Sequence, residues 1–371
     1  MPVMPLQPDM SLEQTTRNRE KRGEKRKLAH LQEAKLCRKN SENFLTINQI
    51  RPSTAAVYHQ AYQLFQKWAE ANKIDITLGG PMERALAEYF EDLYFEGYAA
   101  GSASRLLAAL EHMHPSMKSK GVHDAVQART ALRGFRRLVP EQSRAPLPLV
   151  ALYAMIGAAL HSQDRIFAIM LLIAYCGYLR PSELLGIRGR QLIPPVAGAM
   201  TRAWAILLAP SYQAVPSKTQ AFDESVLLDW ALFEKIHPLL LGLSRAGDQF
   251  IWHMPYTVFL QKFHRYAEIS GVQAALKPHP YAMRHGGASS DCLLERRTLA
   301  RIKARGRWRA DSSVRRYEKH ARLLAQVKLI PLEIRQYGLL IEKHLVQMLL
   351  RKRQAPRPPA WSQGRGSAKL M

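Results

Sequence analysis

The chain has 371 residues, with 54 Lys and Arg against 30 Asp and Glu, a formal charge of +24 and an isoelectric point near 10.2. That length accommodates two domains with tails, and an apolar share of 47% is ample for buried cores. The charge favours a polyanionic partner, nucleic acid above all and a membrane surface second, while three scattered cysteines, Cys37, Cys176 and Cys292, form neither a zinc spacing nor a disulfide framework.

The opening MPVMPLQPDM lacks the charged-then-apolar order of a signal peptide. The longest apolar run, fourteen residues from Ile166, is too short to cross a bilayer as a helix. A soluble intracellular protein with no membrane contact is expected. Residues 1–45 read as a basic arm, helical or extended, that also fits a nuclear-import signal.

Residues 46–140 carry helical periodicity. RPSTAAVYHQAYQLFQKWAEANK offers Ser53 and Thr54 as N-caps and sets Val57, Tyr58, Ala61, Leu64, Phe65 and Trp68 on one face. ERALAEYFEDLYFEGY, SASRLLAALEHMH and AVQARTALRGFRRL repeat the pattern, so four helices make a small bundle. The prolines around residues 141–148 read as a linker. A larger, mostly helical domain spans 149–335 and opens with a buried helix in QDRIFAIMLLIAYCGYL. Two strands, AWAILLAP from Ala203 and ESVLLDW from Glu224, flank a loop carrying Lys218. Residues 336–353 are an amphipathic helix, whose Leu339, Leu340, Leu345, Met348 and Leu349 fit packing in cis or docking on another copy. Residues 354–371 read as a disordered basic tail. The fold class expected is mainly α with a small β-sheet.

One segment stands apart. In RWRADSSVRRYEKH, Arg307, Arg309, Arg315 and Arg316 surround Tyr317, with Trp308 nine residues before it. If Tyr317 attacks a phosphodiester, negative charge builds on the non-bridging oxygens of a five-coordinate phosphorus. Without a metal, that charge must be met by fixed cations, and the guanidinium fork suits phosphate best. The leaving 5′ oxygen needs a proton, which a lysine can supply. The other parts occur in order: Arg180 and Glu183 in CGYLRPSELLGIR, Lys218 in PSKT, Arg284 and His285 in HPYAMRHGGAS.

In these five boxes the chain resembles the tyrosine recombinase (phage integrase) family over residues 50–335. The resemblance implies a core-binding bundle at 46–140 and a mixed α/β catalytic domain at 149–335. It implies Tyr317 as nucleophile forming a 3′-phosphotyrosyl link, Arg180, Arg284 and Trp308 at the scissile phosphate, Lys218 as acid and Glu183 positioning the cations. His285, Arg307, Arg309, Arg315 and Arg316 would contact DNA. No cofactor, metal or ATP is implied, and the partners are duplex DNA and further copies in a tetramer. The compartment is the nucleus in a eukaryote, the nucleoid or cytoplasm in a bacterium or phage. A mobile element performing integration, excision, inversion or transposition would suit such an enzyme.

Three departures from the family pattern are visible. Tyr281 stands where the box has histidine, and a phenol, with an ordinary pKa of about 10, is a poorer neutral-pH base than imidazole. Gly177 lies three residues before Arg180 where two are usual, and Arg307 replaces the glycine before Trp308. Tyr281 keeps open a catalytically impaired DNA-binding protein, and the same chemistry without strand exchange would make a type IB topoisomerase-like enzyme. RNA binding is weaker, because no aromatic stacking motif appears. His112, His114 and His279 lack carboxylate or cysteine partners for a metal.

Overall fold

The computed structural model describes residues 49–140, 144–196, 198, 201–213 and 221–359. The arm at 1–45, the loop residue Lys218 and the tail beyond Pro359 lie outside the described residues. The chain divides into two compact units, Met1–Ser143 and Arg144–Met371.

In the first unit, α1 (Pro52–Asn72), α2 (Gly80–Phe95), α3 (Ala100–Met113) and α4 (Val126–Leu138) enclose a core of Phe65, Leu86, Phe90, Leu106, Leu110, Leu132 and Phe135. The buried stripe of α1 runs through Phe65 and Ala69, whereas Val57 and Leu64 are exposed. Ser53 and Thr54 do not cap. Pro52 takes the first helical position, where its missing N–H costs nothing, and Arg51 becomes the N-cap.

The second unit is built around α5 (Leu149–His161) and α6 (Arg165–Cys176), with every residue of α6 from Phe167 onward buried. Asp164 caps α6 by accepting from Phe167 N at 3.2 Å, and also accepts from Lys262 and Tyr266. After the short α7 (Pro181–Leu185) come β1 (Leu192–Ile193), β2 (Trp204–Leu208) and β3 (Glu224–Leu228), an antiparallel sheet in the order β1-β2-β3. Its register pairs Trp204 with Leu228 and Ile206 with both Leu192 and Val226, so one face buries Trp204, Ile206, Leu208, Val226 and Leu228. β1, at two residues, is too short to announce itself by alternation.

There follow α8 (Ala231–Lys235), α9 (His237–Ser244), α10 (Tyr256–Ile269), α11 (Val272–Leu276), α12 (Tyr281–Leu293), α13 (Leu299–Gly306), α14 (Ser312–Arg315), a 3₁₀ turn at Arg316–Glu318, α15 (His320–Leu329) and α16 (Leu332–Leu349). The molecule is thus mainly helical with one small sheet, the class expected. No helix among the described residues is long and apolar enough to cross a membrane.

Both ends of this unit are tighter than composition implies. Pro146, Leu147 and Pro148, read as linker, are buried, and Leu147 N donates to Ala282 O at 3.0 Å. The residues next to Pro148 are held because that proline starts α5 as its N-cap. Helix α16 begins at Leu332, ahead of the expected 336, and lies along α5 in cis. A Cβ on Gly338 would lie 2.3 Å from Val150 O, and one on Gly157 only 2.6 Å from Ile341 and Tyr337, so the two helices need small residues where they cross. Leu345, Met348 and Leu349 are buried there, while Leu339 and Leu340 face outward. The first residues of the expected tail also pack, with Tyr337 Oη donating to Pro356 O at 3.1 Å.

Candidate active site

Two glycines bring α12 onto α6. A Cβ on Gly286 would fall 2.1 Å from Leu147 O, and one on Gly287 2.2 Å from Tyr175 O, so no larger residue permits this approach. The approach seats Arg284 against the turn that follows α6. There Arg284 donates to the carbonyls of Tyr178 and Gly306 and is only 2% exposed. Arg180 N-caps α7 with Pro181 behind it, and Glu183, three residues on, accepts from Arg180 N at 2.8 Å.

The two glycine departures coincide with two left-handed residues. Tyr178, two places before Arg180, has φ 47°, and Arg307 has φ 54°. Each takes a conformation that glycine adopts freely and that costs a side chain-bearing residue about 1–2 kcal/mol. Arg307 ends α13 in this way, with Arg307 N on Ala304 O at 3.0 Å and Trp308 N on Lys303 O at 3.1 Å. The cap folds Trp308 back over Gly306, where a Cβ would lie 1.8 Å from the indole.

Glu183 is the centre of a buried charge cluster. Arg307 Nη2 donates to its Oε2 at 2.6 Å, Arg180 Nη1 donates to Oε1, and Arg284 Nη1 lies 3.9 Å from Oε2. Burial pushes the Glu183 carboxyl up, but the Arg307 and Arg180 guanidiniums, the Arg180 N–H and Arg284 outweigh it and hold the group below its ordinary range. Burial, then the repulsion of Arg180 and Arg307, brings the Arg284 guanidinium down to about 10. Glu224 Oε2 also lies 3.8 Å from Arg307 Nε, so three guanidiniums face two carboxylates and local positive charge remains in excess.

Trp308 links this cluster to Tyr317. Arg284 Cζ lies 4.6 Å from the centre of the indole, and the Tyr317 ring is 5.0 Å from it, centroid to centroid. Tyr317, in the 3₁₀ turn, is 3% exposed, and burial raises its phenol above the ordinary value. Its Oη is 2.9 Å from His285 Nδ1. Both side chains line a small groove with Arg144, Ser289, Arg316 and Arg322. Burial first, then Arg316, Arg284, Arg144 and Arg322, lowers His285 to about 4, so the imidazole is neutral at pH 7. Tyr281, one turn before His285 on α12, carries Arg144 Cζ over its ring at 4.7 Å.

Of the residues singled out by sequence, Arg180, Glu183, Arg284, His285, Trp308, Tyr317 and Tyr281 are thus gathered on neighbouring elements of one unit. Arg309, Arg315 and Arg316 are exposed, whereas Arg307 is 8% exposed and spent on Glu183. His279 Nδ1 accepts from Tyr281 N at 3.2 Å. Among the described residues no three His, Cys, Asp or Glu side chains gather as a metal would require.

Sequence reasoning missed a supporting network. Asp291, 1% exposed, accepts from Tyr178 Oη and from Arg297 Nη1, and Arg297 reaches on to Asp229. Arg305 donates to Cys176 O at 2.9 Å and Leu227 O at 2.6 Å, tying α6 to β3. A signal existed: Asp291 stands seven residues after Arg284, on the same face of a helix otherwise filled there by small residues. Arg144 and Arg322, which line the groove, carry no such signal.

No family model matches the chain, and no curated protein matches it in sequence. Among solved structures it is similar to the XerH site-specific recombinase bound to palindromic difH substrate in a post-cleavage complex. That similarity covers 78% of this chain and 80% of the other, at 14% identity and a TM-score of 0.47. It is also similar to XerH bound to difH substrate in a pre-cleavage complex, over 70% of this chain and 80% of that one, at 14% identity and a TM-score of 0.36.

Proposed function

We propose that the chain is a DNA strand-transfer enzyme of the tyrosine recombinase type, cleaving and rejoining duplex DNA through a 3′-phosphotyrosyl intermediate. The observation that carries this reading is the convergence on Trp308. Arg284 Cζ lies over the indole and the Tyr317 ring packs against it, and Glu183, paired with Arg180 and Arg307, lies 3.9 Å from Arg284. A phenol beside an arginine cluster whose three positive charges exceed the negative charges of its two carboxylates, Glu183 and Glu224, suits attack on a phosphodiester. The cations meet the charge that develops on phosphorus, and they are already desolvated and held in place.

In this reading Tyr317 is the nucleophile, Arg180 and Arg284 stabilise the phosphate, and Trp308 offers its indole N–H. Glu183 keeps the arginines in register, and Lys218 protonates the leaving 5′ oxygen. Arg309, Arg315 and Arg316 contact the DNA backbone, which makes affinity fall with salt. Attack by a second 5′-hydroxyl on the phosphotyrosine rejoins the strand, with partners being duplex DNA and other copies of the chain.

A binding-only protein is the second reading, favoured by Tyr281 in the histidine position and by the 3% exposure of Tyr317. Nicked suicide duplexes drawn from the protein's own genomic flanks, incubated without magnesium, separate the two. An SDS-stable protein–DNA adduct that is lost in Tyr317→Phe is expected. DNA bound in gel shifts but never trapped by the wild-type protein would sink the enzyme reading.

A further inference from the structure

We propose that His285 is the catalytic base of this site, taking the Tyr317 phenolic proton onto Nδ1 as Tyr317 attacks the phosphate. The proposal rests on the strand-transfer reading above and assigns within it a step that Tyr281 is poorly suited to perform. The geometry is direct: Nδ1 stands 2.9 Å from Oη, within hydrogen-bond reach. The Tyr281 ring instead packs under the Arg144 guanidinium, whose Cζ lies 4.7 Å from its centre.

The surroundings favour a base that acts only when DNA is bound. Arg284 and Tyr281 face His285 from α12 itself, Arg316 and Tyr317 from the 3₁₀ turn, Arg322 from α15, and Arg144 from the segment ahead of α5. With no anion present, burial and four guanidiniums keep the imidazole neutral but weakly basic. A phosphodiester held against those guanidiniums places a negative charge beside them. Their repulsion of an imidazolium falls, and the proton affinity of His285 rises where a base is required.

The step balances. In the tautomer protonated on Nε2, the Nδ1 lone pair accepts the Oη–H proton while the Oη–P bond forms. The P–O5′ bond breaks, and the leaving oxygen takes a proton from a cationic side chain or water to become the 5′-hydroxyl. On rejoining, a 5′-hydroxyl forms the P–O5′ bond and gives its proton back to the side chain or water that supplied one in cleavage, while the P–Oη bond breaks and the imidazolium returns its proton to Oη.

The experiment compares wild type, His285→Asn and His285→Ala on the suicide duplex, measuring single-turnover cleavage from about pH 4 to 9, with gel shifts alongside. An asparagine Oδ1 can accept the Tyr317 hydrogen bond, but it cannot hold the proton. General acid–base groups contribute on the order of 10²–10⁴-fold, so His285→Asn is expected to cleave about 100-fold more slowly than wild type at protein concentrations where the gel shifts show all duplex bound. The wild-type rate should fall on the acid side as His285 protonates, a limb absent from the Asn variant. Imidazole in the buffer should restore part of the rate of His285→Ala, a readout that stands if the Asn variant fails to fold. Wild-type cleavage rates in His285→Asn, or a slow rate with the acid limb intact and no imidazole rescue, would overturn the base assignment alone. No adduct from the wild-type protein would overturn it together with the strand-transfer reading.

Discussion

Replacing Glu183 by glutamine tests how far this carboxylate holds the arginine cluster, which Glu224 also approaches at 3.8 Å from Arg307. The change preserves shape and one acceptor oxygen but removes the charge that Arg307 meets at 2.6 Å and that Arg180 and Arg284 also face. Removing one partner of a buried ion pair costs about 3–5 kcal/mol, because the remaining charge is left uncompensated. The Glu183 side chain keeps 13% of its exposure, and the amide oxygen still accepts one N–H, so the lower end, about 3 kcal/mol, is expected. Urea unfolding followed by tryptophan fluorescence measures it. Trp308, Trp204, Trp230 and Trp252 all report on the affected unit. The pH dependence supplies the sign. Because the native carboxyl is held below its ordinary value of 4.5, its stabilisation is complete above that range and is lost as pH falls through the native value. The gap between wild type and Glu183→Gln should therefore be flat from about pH 6 to 8 and shrink on acidification. A difference under about 0.5 kcal/mol at pH 7, the scale of an ordinary surface substitution, would refute the reasoning.

Two further substitutions probe the scaffold. Gly306→Ala puts a Cβ 1.8 Å from the Trp308 ring, so the indole must move. A loss of roughly 1–3 kcal/mol and a shifted Trp308 emission are expected, with unchanged emission counting against the packing described. Tyr178→Phe removes the hydroxyl that donates to Asp291, a carboxylate 1% exposed. It should cost about 1–3 kcal/mol, read as a lower urea midpoint with an unchanged denaturant slope.

Much of the fold was legible because it is local. The three- and four-residue spacing of apolar residues marks α1 to α4, and the unbroken apolar run marks α6 as buried. The boxes around Arg180, Arg284 and Tyr317 were found by residue type and order, which survive without coordinates. Capping was less legible. Ser53 and Thr54 are good N-cap residues, but Pro52 moves the start of the helix ahead of them. The prolines at 146 and 148 signalled a break in helix correctly, yet Leu147 between them is core. Burial depends on what α12 brings against it.

Arginine bookkeeping shows the same limit. From Arg296 to Lys319 the sequence places ten Lys and Arg, which read alike as a surface for polyanions. In the folded unit Arg297 is committed to Asp291 and Asp229, Arg305 to Cys176 and Leu227 carbonyls, and Arg307 to Glu183. Arg315 and Arg316 are left outward. Charge is a property of composition, but whether a guanidinium faces solvent depends on acceptors far away in the chain.

By itself the sequence determined the helical class, the order of the boxes and the residue types available for phosphate chemistry, since periodicity and chemical identity are carried residue by residue. Only the tertiary structure decided that α16 packs along α5 in cis and that Tyr178 and Arg307 take the left-handed conformations expected of glycines. It alone set His285 against Tyr317, 32 residues away. Such pairings arise from the close approach of distant segments, which a few glycines and the carboxylates of Glu183 and Asp291 permit and no local pattern encodes.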